Sequence, residues 1–343
     1  MSRFSRTASR RAGRLSVRAL AERCRLGAAV VGAATVLTLG GLALGGGAAA
    51  AEQPQWLSAY ASATQAGPAG KIGAAPAPGD DHVDTEHIFG FTMGSDIGAK
   101  GEIELEIENV GLFGKRSGSY FATSTLNLMK FTLTDSFRIA PAVAWGSNRI
   151  RNVAGFDDHQ QVSVQGGAVE LRYKVLDREV MPFGLTLHAQ PGWNRVDEAT
   201  GRRVEQYGSE FAALMDKEFI KDRLWGAVNL WYGAGASKDL VAREWSHDSD
   251  VAIHVALSGR VAPVLVVGAE MRYLRAYEGM GLDRLKGEAL YLGPTFSWHI
   301  AKNAGLSGTV NVQVAGKAID DPRSLDLANF ERVQALLRFN LLF

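Results

Sequence analysis

The stretch ALLRFNLLF, residues 335–343, decides the fold. Ala335, Leu337, Phe339, Leu341 and Phe343 share one parity, while Arg338 and Asn340 stand on the other. Side chains alternate across an extended strand, so the stretch has one apolar face and one partly polar face. A terminus that packs against nothing gains nothing from being apolar. The fold therefore turns on whether this face meets a protein core or a membrane.

The same period of two runs back from here to residue 101, with no sustained 3.6-residue period. Twelve segments follow it, near 101–113, 119–133, 136–147, 161–175, 182–194, 206–219, 223–235, 246–260, 263–276, 287–299, 304–316 and 330–343. Val251/Ile253/Val255/Leu257 and Val310/Val312/Val314 are clear apolar rows. In the second segment Leu126/Leu128 and Phe131/Leu133 disagree in parity, which predicts a bulge. Pro141, Pro191 and Pro294 fall inside segments, so each predicts a bulge or a missed ladder bond. The connections alternate between short ones, such as 135–136 and 221–222, and mostly longer polar ones at 114–118, 148–160, 195–205, 236–245, 277–286 and 317–329.

A soluble β-sandwich would bury its apolar parity and has no need of alternating loop lengths. A transmembrane barrel turns that parity to lipid, must close because hydrocarbon satisfies no backbone group, and has short turns at one end and long loops at the other. Segments of nine to eleven residues suffice to cross. The pattern predicts an all-β, antiparallel up-and-down transmembrane barrel of about twelve strands over residues 101–343. Phe137, Trp145, Phe183, Trp193, Phe211, Tyr232, Tyr273, Trp298 and Phe343 take the lipid parity, as aromatic girdles do.

Composition agrees. Residues 1–51 hold eight arginines and one acid; the rest carries 29 basic and 35 acidic residues, a net charge of about −6, which argues against a nucleic-acid partner. The arginine-rich start, the apolar run from Leu26 and Ala49-Ala50-Ala51 read as a cleaved signal peptide over 1–51. The one cysteine, Cys24, lies within it, so the remaining chain has no thiol or disulfide chemistry. Residues 52–100, rich in Ala, Pro and Gly, read as a flexible periplasmic segment.

The final strand, with Phe343, Leu341 and Phe339, resembles the assembly signal of Gram-negative outer-membrane β-barrels. That resemblance implies a cell outer-membrane location, export across the inner membrane, recognition by the barrel-assembly machinery and contact with outer-membrane lipids. EHIFGFTMGSDIGAKGEIELE, residues 86–106, resembles the start of the phenol-degradation-pathway (MetA-like) outer-membrane channel family. This implies passive passage of small molecules, hydrophobic or aromatic ones included, with no catalytic residue and no cofactor.

The polar parity supplies candidate lumen-lining residues: Glu102, Glu104, Glu106, Glu170, Arg172, Lys174, His188, Glu210, His254, Glu270, Arg272, Arg332 and Arg338. The ladder Glu102/Glu104/Glu106/Glu108 would meet Arg332 and Arg338 where the last strand closes on the first. Such rows serve either as a structural ion network or as a selectivity-setting wall. Two alternatives stand beside the channel. His247 and Ser249 share one face and resemble the rim pair of an outer-membrane lipid hydrolase; a closed structural or adhesive barrel needs no pore at all. His82, Asp84, Glu86 and His87 are of metal-ligand type, yet their segment has no preformed geometry, and no metal is assigned.

Overall fold

The computed structural model describes residues 83–343. The expected signal peptide over 1–51 and residues 52–82 of the expected flexible segment, His82 included, lie outside the described residues. Twelve strands form: β1 (Ile103–Phe113), β2 (Ser119–Thr134), β3 (Phe137–Arg151), β4 (His159–Leu176), β5 (Gly184–Val196), β6 (Arg203–Ile220), β7 (Leu224–Asp239), β8 (Trp245–Ala262), β9 (Leu265–Glu278), β10 (Arg284–Ala301), β11 (Ala304–Ala318) and β12 (Val333–Leu342). Each pairs antiparallel with its sequence neighbours, and β12 closes the sheet on β1. The closing register sets Glu106 opposite Asn340 and Glu108 opposite Arg338, with Leu105 opposite Leu341 on the outward face.

The burial is inverted relative to a soluble domain. Outward Val143, Leu257, Val310 and Leu337 are about half exposed, whereas inward Glu106, Arg172, Arg272 and Arg338 are at most 1% exposed. Only a surround of lipid makes that outer surface favourable. The strands cross the membrane; among the described residues no helix is long and apolar enough to do so.

The bulge expected in the second segment is not formed, whereas the expected interruptions at the prolines are. No bulge separates Leu126 from Phe131: the β1–β2 register runs unbroken from Ile103↔Phe131 to Phe113↔Phe121. Leu126 and Leu128 face inward and pack on Ala140, Ala142, Ala144 and Ala168, so the parity conflict reflects an apolar patch on the inner wall. The prolines do interrupt ladders, each on one side only. Opposite Pro141 the β2–β3 register skips from Leu128↔Ala142 to Phe131↔Ile139, and at Pro294 the β10–β11 register skips from Leu292↔Val312 to Thr295↔Thr309. Pro191 interrupts β4–β5 between Ala168↔Gly192 and Leu171↔Ala189. A proline lacks the N–H that one neighbour would accept.

Residues 83–100 differ most from expectation. They form no strand, but Val83, Ile88, Phe89, Phe91, Met93 and Ile97 are buried inside the barrel. The composition reading missed this because the apolar residues of HIFGFTMGSDI have no partner within their own segment; the lumen supplies it. Gly90, at φ +77°, makes the turn, and a Cβ there would approach Glu270 Oε1 to 2.8 Å.

Candidate functional site: a plug latched in a charged lumen

The plug is fastened by side chains of the wall. Near the turn end, Glu86 accepts from Arg138 Nη1 and Nη2 at 2.5 and 2.7 Å and from Lys130 Nζ at 2.8 Å, and lies 2.9 Å from Arg172 Nη1. Glu170 stands 3.0 Å from both Arg138 and Arg172, while Lys130 also bonds Glu104 at 3.1 Å and Glu106 at 2.7 Å. All are buried. Buried charges survive only when paired and hydrogen-bonded, and here each wall cation faces at least two carboxylate oxygens.

Higher up, Glu270 accepts from Thr92 N–H and Oγ1 at 2.8 Å each and from Phe91 N–H at 3.2 Å. Asn229 clamps Met93 from both sides, accepting from its N–H at 2.7 Å and donating to its carbonyl at 2.8 Å. Arg338 bridges β12 to Glu108 at 2.7 Å and donates to Gly90 O at 3.3 Å. The Arg272 guanidinium lies 3.8 Å over the Phe91 ring. The descending limb is held by Ser95 Oγ, which donates to Asp216 at 2.5 Å, and by Arg178, which sits 2.9 Å from Asp96 and 3.2 Å from Asp216. The plug is thus tied to the wall by hydrogen bonds from its side chains and from polar atoms of its own backbone.

Loops close the opposite end. Tyr120 Oη donates to Ala199 O at 3.0 Å, Tyr291 Oη donates to Glu331 O at 2.5 Å, and Lys115 Nζ lies 2.6 Å from Glu331 Oε1. Burial pushes the Glu331 and Asp326 carboxyls above their ordinary values, against the pull of neighbouring donors and of Lys115.

Of the sequence-derived lumen set, Glu104, Glu106, Glu170, Arg172, His188, Glu210, His254, Glu270, Arg272 and Arg338 face inward and are buried. Three do not join them. Glu102 lies partly exposed just before β1 and accepts from Ala99 N–H at 3.2 Å. Lys174 sits near the turn end and pairs with Asp177 at 2.8 Å. Arg332 is exposed in the loop before β12, because the last strand begins only at Val333, so it does not neutralise the Glu ladder. Arg338 alone does that from β12. Lys130 and Arg138 lie outside the sequence-derived lumen set although their parity matches it, and Glu86, singled out in the sequence only as a metal-ligand type, takes its place in the latch through the plug's path.

The metal-type residues are drawn into the latch. Asp84, Glu86 and His87 approach one another, as do His87, Glu104 and Glu106, but the Lys130 ammonium binds Glu86, Glu104 and Glu106 at 2.7 to 3.1 Å. That cation supplies the charge a metal ion would bring. At the loop end, Ser249 Oγ donates to Gly279 O at 2.6 Å and accepts from Leu282 N–H at 3.2 Å. It staples a loop, and its hydroxyl proton is committed to a carbonyl, not to His247.

Fold and site together define a transmembrane β-barrel of the outer-membrane type with a plugged, charged lumen. Within that class the chain belongs to the family of unknown function DUF6662, whose model matches residues 81–343 and so takes in the plug as well as the barrel. No curated protein matches the chain. Among solved structures, the COG4313 outer membrane channel from Pseudomonas putida F1 is similar at 14% identity and a TM-score of 0.50, over 73% of this chain and 98% of that one. The Ralstonia pickettii toluene transporter TbuX aligns at 10% identity and a TM-score of 0.38, over 76% and 98% of the two chains. The likeness to the COG4313 channel concerns the fold alone.

Proposed function

We propose that the protein is an outer-membrane channel for small solutes whose resting state is closed by residues 83–100. The observation that carries this is the chemistry of the contact between plug and wall. This wall sets charged and amide groups against a segment outside the sheet, so the contact is made by ion pairs and hydrogen bonds as well as by apolar packing. Once the plug leaves, the same groups are competent to face water. Rows of lumenal charge tune what passes, and the polarity of this wall favours hydrophilic solutes. Location in the outer membrane is supported by closure, the apolar outer band and the likeness of fold. The strand ending in Phe339, Leu341 and Phe343 is the surface offered to the assembly machinery, and the outer band meets the membrane lipids.

Planar-bilayer conductance tests the reading. The full-length protein is expected to give rare, brief openings, and a variant lacking residues 83–97 sustained ones. Silence from a heat-modifiable, folded deletion variant would favour the structural or adhesive barrel. Lipid hydrolysis lost on Ser249→Ala would favour the hydrolase.

A further inference from the structure

Strand β4 changes face part-way along its length. Its register with β3 slips between Ala144↔Gly166 and Trp145↔Val164, so Gln165 is an extra residue. Toward the turn end Ala168, Glu170 and Arg172 face the lumen. Toward the loop end Val162 and Val164 are exposed on the outer surface and Gln165 is fully buried. A bulge re-aims the side chains around it, and this one turns Gln161 and Gln165 inward.

Against these amides lies the tip of the β5–β6 loop. Asp197, Glu198, Ala199 and Thr200 are 2 to 8% exposed although none belongs to a strand. The tip is a closed turn: Asp197 Oδ1 accepts from Thr200 N–H and Oγ1 at 2.7 Å each, and Gly201 N–H donates to Asp197 O at 2.8 Å. Three wall side chains donate to its backbone. Asn148 Nδ2 bonds Glu198 O at 2.6 Å, Tyr120 Oη bonds Ala199 O at 3.0 Å, and Gln161 Nε2 bonds Gly201 O. Ser124 Oγ lies 2.8 Å from Gln165 Oε1 and 3.4 Å from Glu198 Oε1, which sets the Gln165 amide beside the tip. Gln165 Nε2 and Asn148 Oδ1, on side chains at most 1% exposed, have no hydrogen-bond partner. Such groups cost free energy while unpaired, so the loop fills the site without satisfying it. Its tie on the outer side, Arg202 to Asp157 at 2.5 Å, joins exposed side chains and is weak.

We propose that Tyr120, Ser124, Asn148, Gln161 and Gln165 form a binding site for a short neutral oligosaccharide, and that residues 197–201 occupy it as a displaceable lid. The five side chains are phenol, hydroxyl and amide groups, donors and acceptors without formal charge, and a sugar hydroxyl is itself both donor and acceptor. Lys115, 5.2 Å over the Tyr120 ring, is committed to Glu331 at 2.6 Å. Asp197 and Glu198 belong to the lid and leave with it. The His159 imidazole, set against Gly201, adds a group able to donate or accept. An extended peptide is a poorer occupant. Its successive carbonyls point to opposite sides, whereas Glu198 O and Ala199 O both meet the wall because the chain turns there, and its charged ends find no counter-charge among the five side chains. This inference rests on the channel reading for passage, not for binding, and it names the class of solute that reading leaves open.

Three probes separate the outcomes: maltotriose, trigalacturonate and triglycine. Equilibrium dialysis of radiolabelled probe with the full-length protein in a sugar-free detergent reads binding without requiring conductance. Maltotriose is expected to bind at least tenfold more tightly than either of the others. Two variants, each shown folded by heat modifiability, should move its affinity in opposite directions. Gln165→Leu removes the unpaired amide and should weaken maltotriose severalfold, whereas Asp197→Ala unties the turn of the lid and should tighten it severalfold. Maltotriose should also speed maleimide labelling of Ala199→Cys in a Cys24→Ser chain, since Ala199 is buried until the lid lifts. Equal or tighter binding of trigalacturonate or triglycine, unchanged affinity in Gln165→Leu, or labelling that maltotriose does not speed overturns the proposal. Conductance of the plug-deleted protein without maltotriose binding would refute this site alone; maltotriose binding without conductance would leave the site and remove the channel.

Discussion

Replacing Glu86 by glutamine is the sharpest perturbation the structure offers. The carboxylate is held by Arg138, Arg172 and Lys130 within 2.9 Å, all in the buried lumen. Removing one partner of a buried ion pair costs about 3–5 kcal/mol. Here the wall partly compensates, since Glu170 remains for both arginines and Glu104 and Glu106 remain for Lys130. The loss should fall at the low end, about 3 kcal/mol, and a tenfold change per 1.4 kcal/mol makes this roughly a hundredfold shift toward the undocked plug. The assay is maleimide labelling of a cysteine placed at Met93, in a chain whose Cys24 is replaced by serine. Met93 is fully buried, so labelling reports exposure of the plug. The Glu86→Gln rate should exceed that of the Glu86 parent by on the order of a hundredfold. Equal rates would refute the view that the latch holds the plug.

Further outcomes follow from the same geometry. Burial, with help from Asp84, Glu104 and Glu86 and against the Ala99 N–H, raises the Glu102 carboxyl to about 7. A raised acid stabilises the docked state fully below its ordinary value near 4.5 and loses that contribution as pH rises through about 7. Labelling and conductance should therefore climb between pH 5 and 8, and Glu102→Gln should flatten the profile. Arg338→Gln leaves Glu108 without its 2.7 Å partner where β12 meets β1, so the heat-modifiability midpoint should fall, by an amount equivalent to about 3–5 kcal/mol. Deleting Phe343 should reduce the amount of heat-modifiable barrel in membranes while leaving refolding in detergent intact; equal membrane levels would remove its role as an address. Phospholipids are expected to stay unhydrolysed with both the parent and Ser249→Ala, while Ser249→Ala should increase protease cleavage in residues 279–283, the loop it staples.

The period of two settled the architecture before any coordinates. Outward Val251, Ile253, Val255 and Leu257 and inward His254 followed from parity alone, since a strand cannot put neighbouring side chains on one face. Strand number, alternation of turns and loops, and the inward rows of Glu104, Glu106, Arg172, Arg272 and Arg338 were legible for the same reason. What depends on contacts between residues far apart in sequence was not. Glu86 meets Arg138 across 52 residues, and Phe91 and Thr92 reach Glu270 across nearly 180. No local pattern encodes such a partner, so a segment that reads as solvated linker becomes the best-fastened piece of the interior. Likewise only closure of the sheet shows that Arg338, and not Arg332, neutralises the Glu ladder. The sequence determined which face of every strand meets lipid, because that is a property of the strand itself. The tertiary structure alone decided what fills the barrel, because that required the ring of twelve strands to close around a segment preceding them all.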